Sequence, residues 1–388
     1  MRKKRILFFD HTSKMSGGER SLLLILEKIN RKKFEPFLIT PEPGPLSKEA
    51  RTKGVETEYI VIPEMILERK RTKTGILFLL LSFITSFPGI LQLVSFIKRK
   101  KIDLIYTNSQ KAHLIGLLAG LFSHIPVVWH FRDILNEGYI KKTVKFLGIQ
   151  FTKNIISISR AVAAQFKIAE RINRKVKVVY NAIDVLGFEE KRKNSKTNLR
   201  KEYGLPQNSK IIACVGQIAR WKGQEYLIYV ARKLVKRLDN LYFFIIGKTL
   251  FKESDYNEKL LSLVREFGLE KRVFFTGFRW DIPGIMYDID ILLHTPCEPE
   301  PFGRVLIEAM VAGTPIVAFD NGATGEILRS NAGQLVPPFD IGGLEYALTK
   351  LLDDRAFYKK VVHRAKDDVR ERFDSHILIE RIEEILAG

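Results

Sequence analysis

The sequence predicts an α/β protein with two doubly wound domains, each built around a parallel β-sheet. A chain of 388 residues is long for a single domain, because most domains hold about 100–200 residues. Its hydrophobic content of 46% and charged content of 28% are ordinary for a globular protein and exclude global disorder. Short apolar runs alternate with helical patterns in both halves, which is typical of βαβ units and therefore of parallel sheets.

In the first half, strand-like runs are separated by stretches with helical periodicity. A Gly-Gly turn follows the first run, and an apolar-periodic helix continues from there to Ile29. The predicted strands are Ile6–Phe9, Phe37–Thr40, Ile102–Tyr106, Pro126–His130 and Asn154–Ile158.

The second half repeats this alternation, and its strands end at glycine or polar residues. Open α/β sheets place their ligand sites at that end of the strands. The predicted strands are Ile211–Val215, Tyr242–Ile246, Arg272–Thr276, Ile289–His294, Pro315–Ala318 and Gly333–Val336. We place the domain boundaries at 1–188 and 189–365, with the charged segment Glu189–Arg200 as the linker and a C-terminal helix over 366–388.

One uncharged segment, Gly75–Ile97, is long enough to cross a bilayer of about 30 Å. Pro88 interrupts it, and basic residues flank it on both sides, which argues against a spanning helix. We expect two shorter helices broken at Pro88, either packed in the core or lying in a membrane surface. A second basic amphipathic stretch, Lys141–Lys153, favours the membrane-surface alternative.

The positive charge is concentrated in the first half of the chain. Residues 1–188 carry 33 basic and 15 acidic side chains, a net charge of +18, whereas the remainder is close to neutral. This asymmetry predicts an anionic partner. We expect an anionic membrane surface and no nucleic acid, because the sequence contains no recognisable nucleic-acid-binding module. A merely solubilising surface is the alternative reading.

Cysteine usage and the N-terminal sequence bear on location. Cys214 and Cys297 exclude a disulfide framework and a Cys-based zinc site. We expect no signal peptide, because MRKKRILFFDH leads straight into a strand-like run. A cytoplasmic protein, peripheral on the inner face of the membrane, is therefore predicted.

The run from Glu300 to Met310 (EPFGRVLIEAM) is the most informative in the chain. Two carboxylates eight residues apart are joined by a Phe302-Gly303 turn that opens a helix, with Glu300 just before the turn and Glu308 about two turns into the helix. A helix N-terminus presents backbone N–H groups to an anion such as a diphosphate. A carboxylate there can accept hydrogen bonds from sugar hydroxyls. The other interpretation is a surface Glu pair on an ordinary helix.

Three further Gly-rich turns follow predicted strands. Ser16–Arg20 comes after the first strand, Val215–Gly223 contains two cations suited to phosphate oxygens, and Asn321–Glu326 opens another helix. One such turn is weak evidence, but four at strand ends in two domains predict a shared cleft.

These motifs resemble the retaining family 4 glycosyltransferases of GT-B architecture, over essentially the whole chain. The run EPEPFGRVLIEAMVAGTPIVAFDNGATGE is similar to the E-x7-E signature of that family. The resemblance implies two Rossmann-like doubly wound domains facing across a cleft. The first would hold the acceptor and the second a nucleotide-sugar donor, and the last helix would cross back to the first domain.

The resemblance also implies roles for individual residues. Glu300 would contact the donor hexose, Glu308 the nucleotide ribose, Lys222 the diphosphate and His130 the donor sugar. Glu300, His130 and Lys222 form the implied catalytic set. The implied donor-binding set is Gly17, Gly18, Gly216, Gln217, Arg220, Lys222, Phe302, Gly303, Arg304, Val305, Glu308 and Glu326.

The chain departs from the family pattern at Gln217, where an Arg is usual, and Arg220 is the candidate to supply the missing charge. By the resemblance, the enzyme would retain anomeric configuration by front-face attack and would need neither a metal nor another cofactor. We expect transfer of a hexose from a UDP- or GDP-linked donor to a saccharide or lipid-linked acceptor, in cell-surface polysaccharide or glycolipid biosynthesis. The alternatives are a non-catalytic GT-B-like partner subunit and another GT-B enzyme such as a sugar-nucleotide epimerase.

Overall fold

The computed structural model describes residues 2–63, 76–168, 171–249 and 254–388, which form two compact units. The first unit comprises Met1–Asn181 and His376–Gly388, and the second comprises Ala182–Ser375. The boundaries predicted from the sequence lie after residues 188 and 365, whereas the structure divides the chain after Asn181 and after Ser375. The predicted linker begins inside a helix, Val185–Lys193, whose buried residues Val185 and Phe188 belong to the second unit.

The first unit contains a seven-stranded parallel sheet in the order β3-β2-β1-β4-β5-β6-β9. Each strand predicted for this half is present, whereas the short strands β3 and β9 were not predicted. A two-stranded antiparallel hairpin, β7–β8, lies outside the sheet. The strands are β1 (Lys4–Phe9), β2 (Phe34–Thr40), β3 (Glu56–Tyr59), β4 (Leu104–Thr107), β5 (Val127–Phe131), β6 (Asn154–Ser157), β7 (Lys167–Ile168), β8 (Arg171–Ile172) and β9 (Val176–Val178).

Helices cover both faces of this sheet. Right-handed crossovers put α1 and α2 on one face, because they lead away from β1 toward β3. They put α3, α4 and α5 on the opposite face, because those connections run the other way across the sheet. The helices are α1 (Gly17–Lys28), α2 (Pro45–Thr52), α3 (Ile76–Lys100), α4 (Gln110–Ser123), α5 (Tyr139–Phe151) and the short α6 (Arg160–Ala163).

The expectation of a helix break at Pro88 is wrong. Helix α3 is continuous over Ile76–Lys100 with Pro88 inside it, and Gly75 lies outside the described residues. Pro88 is exposed, so water can satisfy the carbonyl that proline cannot serve. On the opposite side, Ile90 and Phe96 are buried, and the Phe96 ring lies 5.9 Å from that of Phe37 in β2. These contacts pack the part of the helix that follows the proline against the sheet. Among the described residues, no helix is long and apolar enough to cross a membrane.

The second unit contains a six-stranded parallel sheet in the order β12-β11-β10-β13-β14-β15. All of its strands coincide with predicted runs, because each is a short, largely apolar segment that ends at a turn. They are β10 (Lys210–Val215), β11 (Leu241–Ile246), β12 (Val273–Gly277), β13 (Ile291–His294), β14 (Ile316–Phe319) and β15 (Gln334–Val336).

Helices also surround the second sheet, and the last helix of the chain returns to the first unit. Lys4 Nζ donates a hydrogen bond of 2.7 Å to the Leu386 carbonyl, and the Asn30 N–H donates one of 2.8 Å to Glu383 Oε1. The helices are α7 (Val185–Lys193), α8 (Leu199–Glu202), α9 (Glu225–Leu234), α10 (Ser254–Glu266), α11 (Ile282–Asp288), α12 (Arg304–Ala312), α13 (Thr324–Ile327), α14 (Ile341–Asp353), α15 (Arg355–Arg372) and α16 (Ser375–Ala387).

Candidate active site

Glu300 lies in the loop that follows β13, where its backbone pairs with the loop that follows β14. The Ala323 N–H donates to the Glu300 carbonyl at 2.8 Å, and the Glu300 N–H donates to the Asn321 carbonyl at 3.3 Å. Gly322 has φ +70°, and a Cβ at this position would overlap the backbone N and O of Glu300. The glycine therefore allows two strand-end loops to meet at Glu300.

The Glu300 side chain is buried between a lysine and a histidine. Lys222 Nζ lies 2.6 Å and His294 Nε2 lies 3.2 Å from Glu300 Oε2. Burial alone would raise the pKa of Glu300, but the charge of Lys222 and the contact with His294 outweigh it and hold the pKa at about 2. Glu300 is therefore an ionised, buried carboxylate at neutral pH.

The contact with His294 was not predicted, because the sequence assigns this histidine no role beyond the end of a strand. His294 is the last residue of β13 and is 5% exposed. Burial lowers its pKa, and the contact with Glu300 only partly opposes that shift, so the imidazole is neutral at pH 7. Its place at the C-terminal end of a central strand, six residues before Glu300, was the signal that could have found it.

Lys222 reaches Glu300 from the loop that follows the neighbouring strand β10. It ends a single 3-10 turn, Arg220–Lys222, and Gly223 follows with φ +63°. The Thr295 hydroxyl donates to the Gly223 carbonyl at 2.8 Å, which ties the β10 loop to the β13 loop. Lys222 Nζ also lies 4.1 Å from the centroid of the Trp221 ring, so this tryptophan covers the lysine.

Three other residues assigned to the β10 loop lie beside Lys222 in sequence but have separate contacts. Gly216 directly follows β10 with φ +145°, and the Gln217 carbonyl accepts a 2.7 Å hydrogen bond from the Gln224 side chain. The Arg220 guanidinium lies 3.6 Å from the Asp255 carboxylate in an exposed ion pair. That arrangement gives no direct support to Arg220 as the replacement for the family Arg.

The Phe302-Gly303 turn does open a helix, as the sequence analysis predicts. Gly303 is the N-cap with φ +86°, and Arg304–Ala312 forms α12. Glu308 therefore lies just over one turn into the helix and not two, one turn after Arg304, whose guanidinium is 3.6 Å from its carboxylate. Phe302 is buried against Phe373 with ring centroids 5.9 Å apart, which anchors the turn. Val305 also begins this helix, and Glu326 lies in α13.

The remaining predicted residues lie in the first unit. Gly17 and Gly18 are the first residues of α1, with Ser16 as its N-cap and Glu19 completing a capping box. Burial raises the pKa of Glu19, and the nearby Asp10 adds to that shift.

His130 is fully buried at the end of β5. The Tyr106 hydroxyl contacts its Nδ1, and the Arg132 guanidinium lies 3.0 Å from the same atom. Burial and the Arg132 charge lower the pKa of His130 well below its usual range. Within the described part of the chain, its Nε2 has no hydrogen-bond partner.

Sequence reasoning also missed the polar network around Arg132. Its guanidinium donates to Asn108 Oδ1 at 2.7 Å and to Asn181 Oδ1 at 2.8 Å, and Asn108 donates in turn to Asp10 at 2.7 Å. Asp10, Asn108 and Arg132 follow β1, β4 and β5, which are neighbours in the first sheet, whereas Asn181 follows β9. The network thus occupies the edge of the sheet where α/β proteins bind ligands.

The structure thus brings Lys222, His294 and Glu300 together at the C-terminal ends of β10 and β13, ahead of the N-terminus of α12. His130, Gly17 and Gly18 occupy the corresponding edge of the other sheet. A buried carboxylate held by a cation can orient a polyhydroxylated ligand, and the cation and helix N-terminus suit an anion. Among the described residues, no group of three His, Cys, Asp or Glu side chains is arranged to hold a metal ion.

Comparison with protein families accounts for nearly the whole chain. The Glycosyltransferase Family 4 model matches residues 15–185, and the Glycosyl transferases group 1 model matches residues 195–368. The chain belongs to the family 4 glycosyltransferases of GT-B architecture. This membership confirms the resemblance and the fold predicted from the sequence.

Individual relatives are similar to this glycosyltransferase over most of its length. It is 28% identical over 286 residues to an uncharacterized glycosyltransferase of Methanocaldococcus jannaschii, covering 70% of this chain and 72% of the relative. It is 23% identical to the Escherichia coli UDP-Gal:alpha-D-GlcNAc-diphosphoundecaprenol alpha-1,3-galactosyltransferase, covering 88% and 86%. Anabaena HepE, solved in complex with UDP and glucose, is 28% identical and superposes with a TM-score of 0.82 over 99% of both chains.

Proposed function

We propose that this glycosyltransferase moves a hexose from a nucleoside diphosphate sugar to a saccharide or lipid-linked acceptor, with retention of anomeric configuration. The observation that carries the proposal is the buried Lys222–Glu300 pair, 2.6 Å apart, at the strand ends that precede the N-terminus of α12. We favour a uridine diphosphate donor over a guanosine one, because HepE was solved with UDP and with UDP-glucose.

In this proposal Glu300 orients the hexose. Its carboxylate is ionised and held by two partners, so it can accept hydrogen bonds from sugar hydroxyls without reorganising. Glu308, one turn into α12, is our candidate for the ribose hydroxyls. His130 and the Gly17-Gly18 turn remain candidates for contact with the donor, and the free Nε2 of His130 supports that role.

Lys222 and the N-terminus of α12 would stabilise the departing diphosphate. The charge that develops on the leaving group meets an ammonium and the partial positive charge of a nine-residue helix. The bond between the anomeric carbon and the diphosphate oxygen breaks while the acceptor hydroxyl attacks from the same face. The leaving diphosphate takes the hydroxyl proton, so no side chain needs to form a covalent intermediate and we propose no metal cofactor.

Calorimetric titration of the purified chain with UDP, UDP-glucose, GDP, GDP-mannose and ADP tests the donor. We expect UDP compounds to bind, and Lys222→Met to weaken them by about tenfold or more, since a hydrogen bond to a charged group contributes about 1.5–3 kcal/mol. Lys259→Met, which removes an exposed lysine paired with Glu225, is the matched control. A folded chain that binds none of these nucleotides would favour the non-catalytic partner subunit instead.

Product analysis tests the chemistry. An α-linked product from an α-linked donor, measured by the anomeric proton coupling, is expected for retention, and an inverted product would contradict it. Activity that survives chelation of divalent cations is expected if no metal takes part. Epimerised donor without glycoside product would favour the epimerase alternative.

We also propose that the acceptor is presented at an anionic membrane surface on the cytoplasmic side. The net charge of +18 on residues 1–188 supports this, and the E. coli relative is named for an acceptor carried on diphosphoundecaprenol. Higher turnover with an acceptor embedded in anionic vesicles than with a water-soluble analogue would support the proposal. Equal turnover would contradict it.

A further inference from the structure

The two helical layers of the first unit expose different surfaces to solvent. In the layer formed by α1 and α2, no large hydrophobic side chain is exposed. In the described part of the other layer, each of the three helices exposes several. They are Phe87, Leu91, Leu114, Leu121, Phe122, Tyr139, Ile140, Phe146 and Phe151. Both layers cover the same sheet, so the difference concerns their outer sides.

The exposed apolar side chains of α3 and α4 meet at Phe87 and Phe122. Leu114 and Leu121 are seven residues apart, which places them on one side of α4 together with Phe122. Phe87 of α3 packs edge-on against Phe122, with ring centroids 6.5 Å apart. Leu91 lies one turn after Phe87 and is 51% exposed. A cluster of exposed aromatic and aliphatic side chains is costly in water and is typical of an interaction site.

Helix α5 adds aromatic and cationic side chains on the same side of the sheet. Only two of its thirteen residues, Val144 and Gly148, are buried. Phe146 is 57% exposed, and its ring lies 6.3 Å from that of Phe151. Lys142 is exposed on this helix, and Lys98 is exposed near the end of α3, seven residues after Leu91. Lysines thus accompany the apolar side chains on both helices.

We infer that this face, the outer side of α3, α4 and α5, docks on an anionic lipid bilayer. A lipid interface is apolar just below a negatively charged surface, and it therefore accepts aromatic and aliphatic side chains together with lysines. A second copy of the chain would instead bring two halves of charge +18 together. The inference rests on the proposed membrane-borne acceptor, and it extends the membrane-surface expectation for Gly75–Ile97 and Lys141–Lys153 to α4, which lies between them in the chain.

Vesicle flotation without donor or acceptor tests the docking surface. We expect the full chain to bind phosphatidylcholine vesicles that contain phosphatidylglycerol and to bind pure phosphatidylcholine vesicles poorly. Phe122→Ser combined with Phe146→Ser should weaken vesicle binding by about tenfold or more, because two aromatic side chains are no longer transferred from water into the lipid interface. Lys98→Glu combined with Lys142→Glu should abolish the preference for anionic vesicles.

Two matched variants control for general effects on charge and hydrophobicity. Leu186→Ser removes a side chain that is 76% exposed in the second unit, and Lys48→Glu reverses an exposed charge on α2. Both are expected to bind vesicles like the natural sequence. Wild-type binding by the double Phe variant, or equal binding to both vesicle types, would overturn the inference.

Two further measurements separate this inference from its rivals. Light scattering that shows a dimer, dissociated by the double Phe variant, together with no vesicle binding, would identify the face as a contact between copies and overturn lipid docking. Calorimetric titration with a UDP-sugar in the same variants should give unchanged affinity. Nucleotide binding without vesicle binding would refute the docking face and leave the donor proposal intact. Vesicle binding without nucleotide binding would refute the donor proposal and leave the docking face intact.

Discussion

Lys222 and Glu300 form a largely buried ion pair, with Nζ and Oε2 2.6 Å apart, although 77 residues separate them in the chain. Their loops follow β10 and β13, which are adjacent in the sheet, and the Gly223 carbonyl joins the two loops through Thr295. A buried pair of this kind is costly to break, because removal of one partner leaves the other charge unpaired. The pair therefore fixes the position of each side chain before any ligand binds.

Replacement of Glu300 by Gln should slow transfer strongly while the chain still folds. The amide cannot balance the Lys222 charge, so we expect the free energy of unfolding to fall by about 1–3 kcal/mol. The rate of transfer should fall by about 10²-fold or more, because the group that orients the sugar is lost. Steady-state kinetics and urea unfolding measure the two effects. Retention of full activity by this variant would remove Glu300 from the site.

Acid should weaken the folded chain partly through Glu300. The folded-state pKa of about 2 lies below the unfolded value of roughly 4.3, so the ionised group stabilises the fold above about pH 4 and loses that effect as pH falls toward 2. The stability difference between wild type and Glu300→Gln should therefore shrink from pH 7 to pH 3. Urea unfolding at both pH values measures it, and a difference that does not change would show that Glu300 is not stabilised in its ionised form.

His294 is expected to act through Glu300 as a positioning residue. Replacement by Phe keeps an aromatic side chain at the end of β13 but removes the contact that helps hold the pKa of Glu300 low. We expect lower kcat, little change in the donor KM, and an acid limb of the kcat profile displaced to higher pH. A lower free energy of unfolding together with an unchanged acid limb of the kcat profile would mean that His294 contributes to packing and does not position Glu300.

Gly322→Ala should disturb both stability and activity. The position has φ +70°, and the added Cβ would overlap the backbone of Glu300. Gly268→Ala is the matched control, since its φ is +64° and nothing lies within 4 Å of the added Cβ. The control should lose about 1 kcal/mol of stability from backbone strain alone, while Gly322→Ala should lose more and also lose transfer. Equal effects in thermal unfolding and kinetics would contradict the predicted overlap.

Much of the architecture was readable from the sequence, because it is encoded locally. The strands of the second sheet are short, largely apolar runs that end at turns. The Glu300–Glu308 spacing with its Phe-Gly turn predicted the start of a helix and indicated the family. The short strands Glu56–Tyr59 and Val176–Val178 escaped notice, because alternating or charged residues at a sheet edge resemble loop sequence.

Only the tertiary structure decided the remaining features, since each depends on groups distant in sequence. Helix α3 continues across Pro88, where the local rule predicted a break, and Phe96 packs against Phe37 in the part that follows the proline. Burial of His294 beside Glu300 turned an unremarked histidine into part of the site. The sequence does not show that Phe122 is exposed and contacts Phe87, because this depends on which sides of α3 and α4 pack against the sheet. Periodicity reports which residues share a helix face, whereas burial and charge pairing arise when separate segments meet.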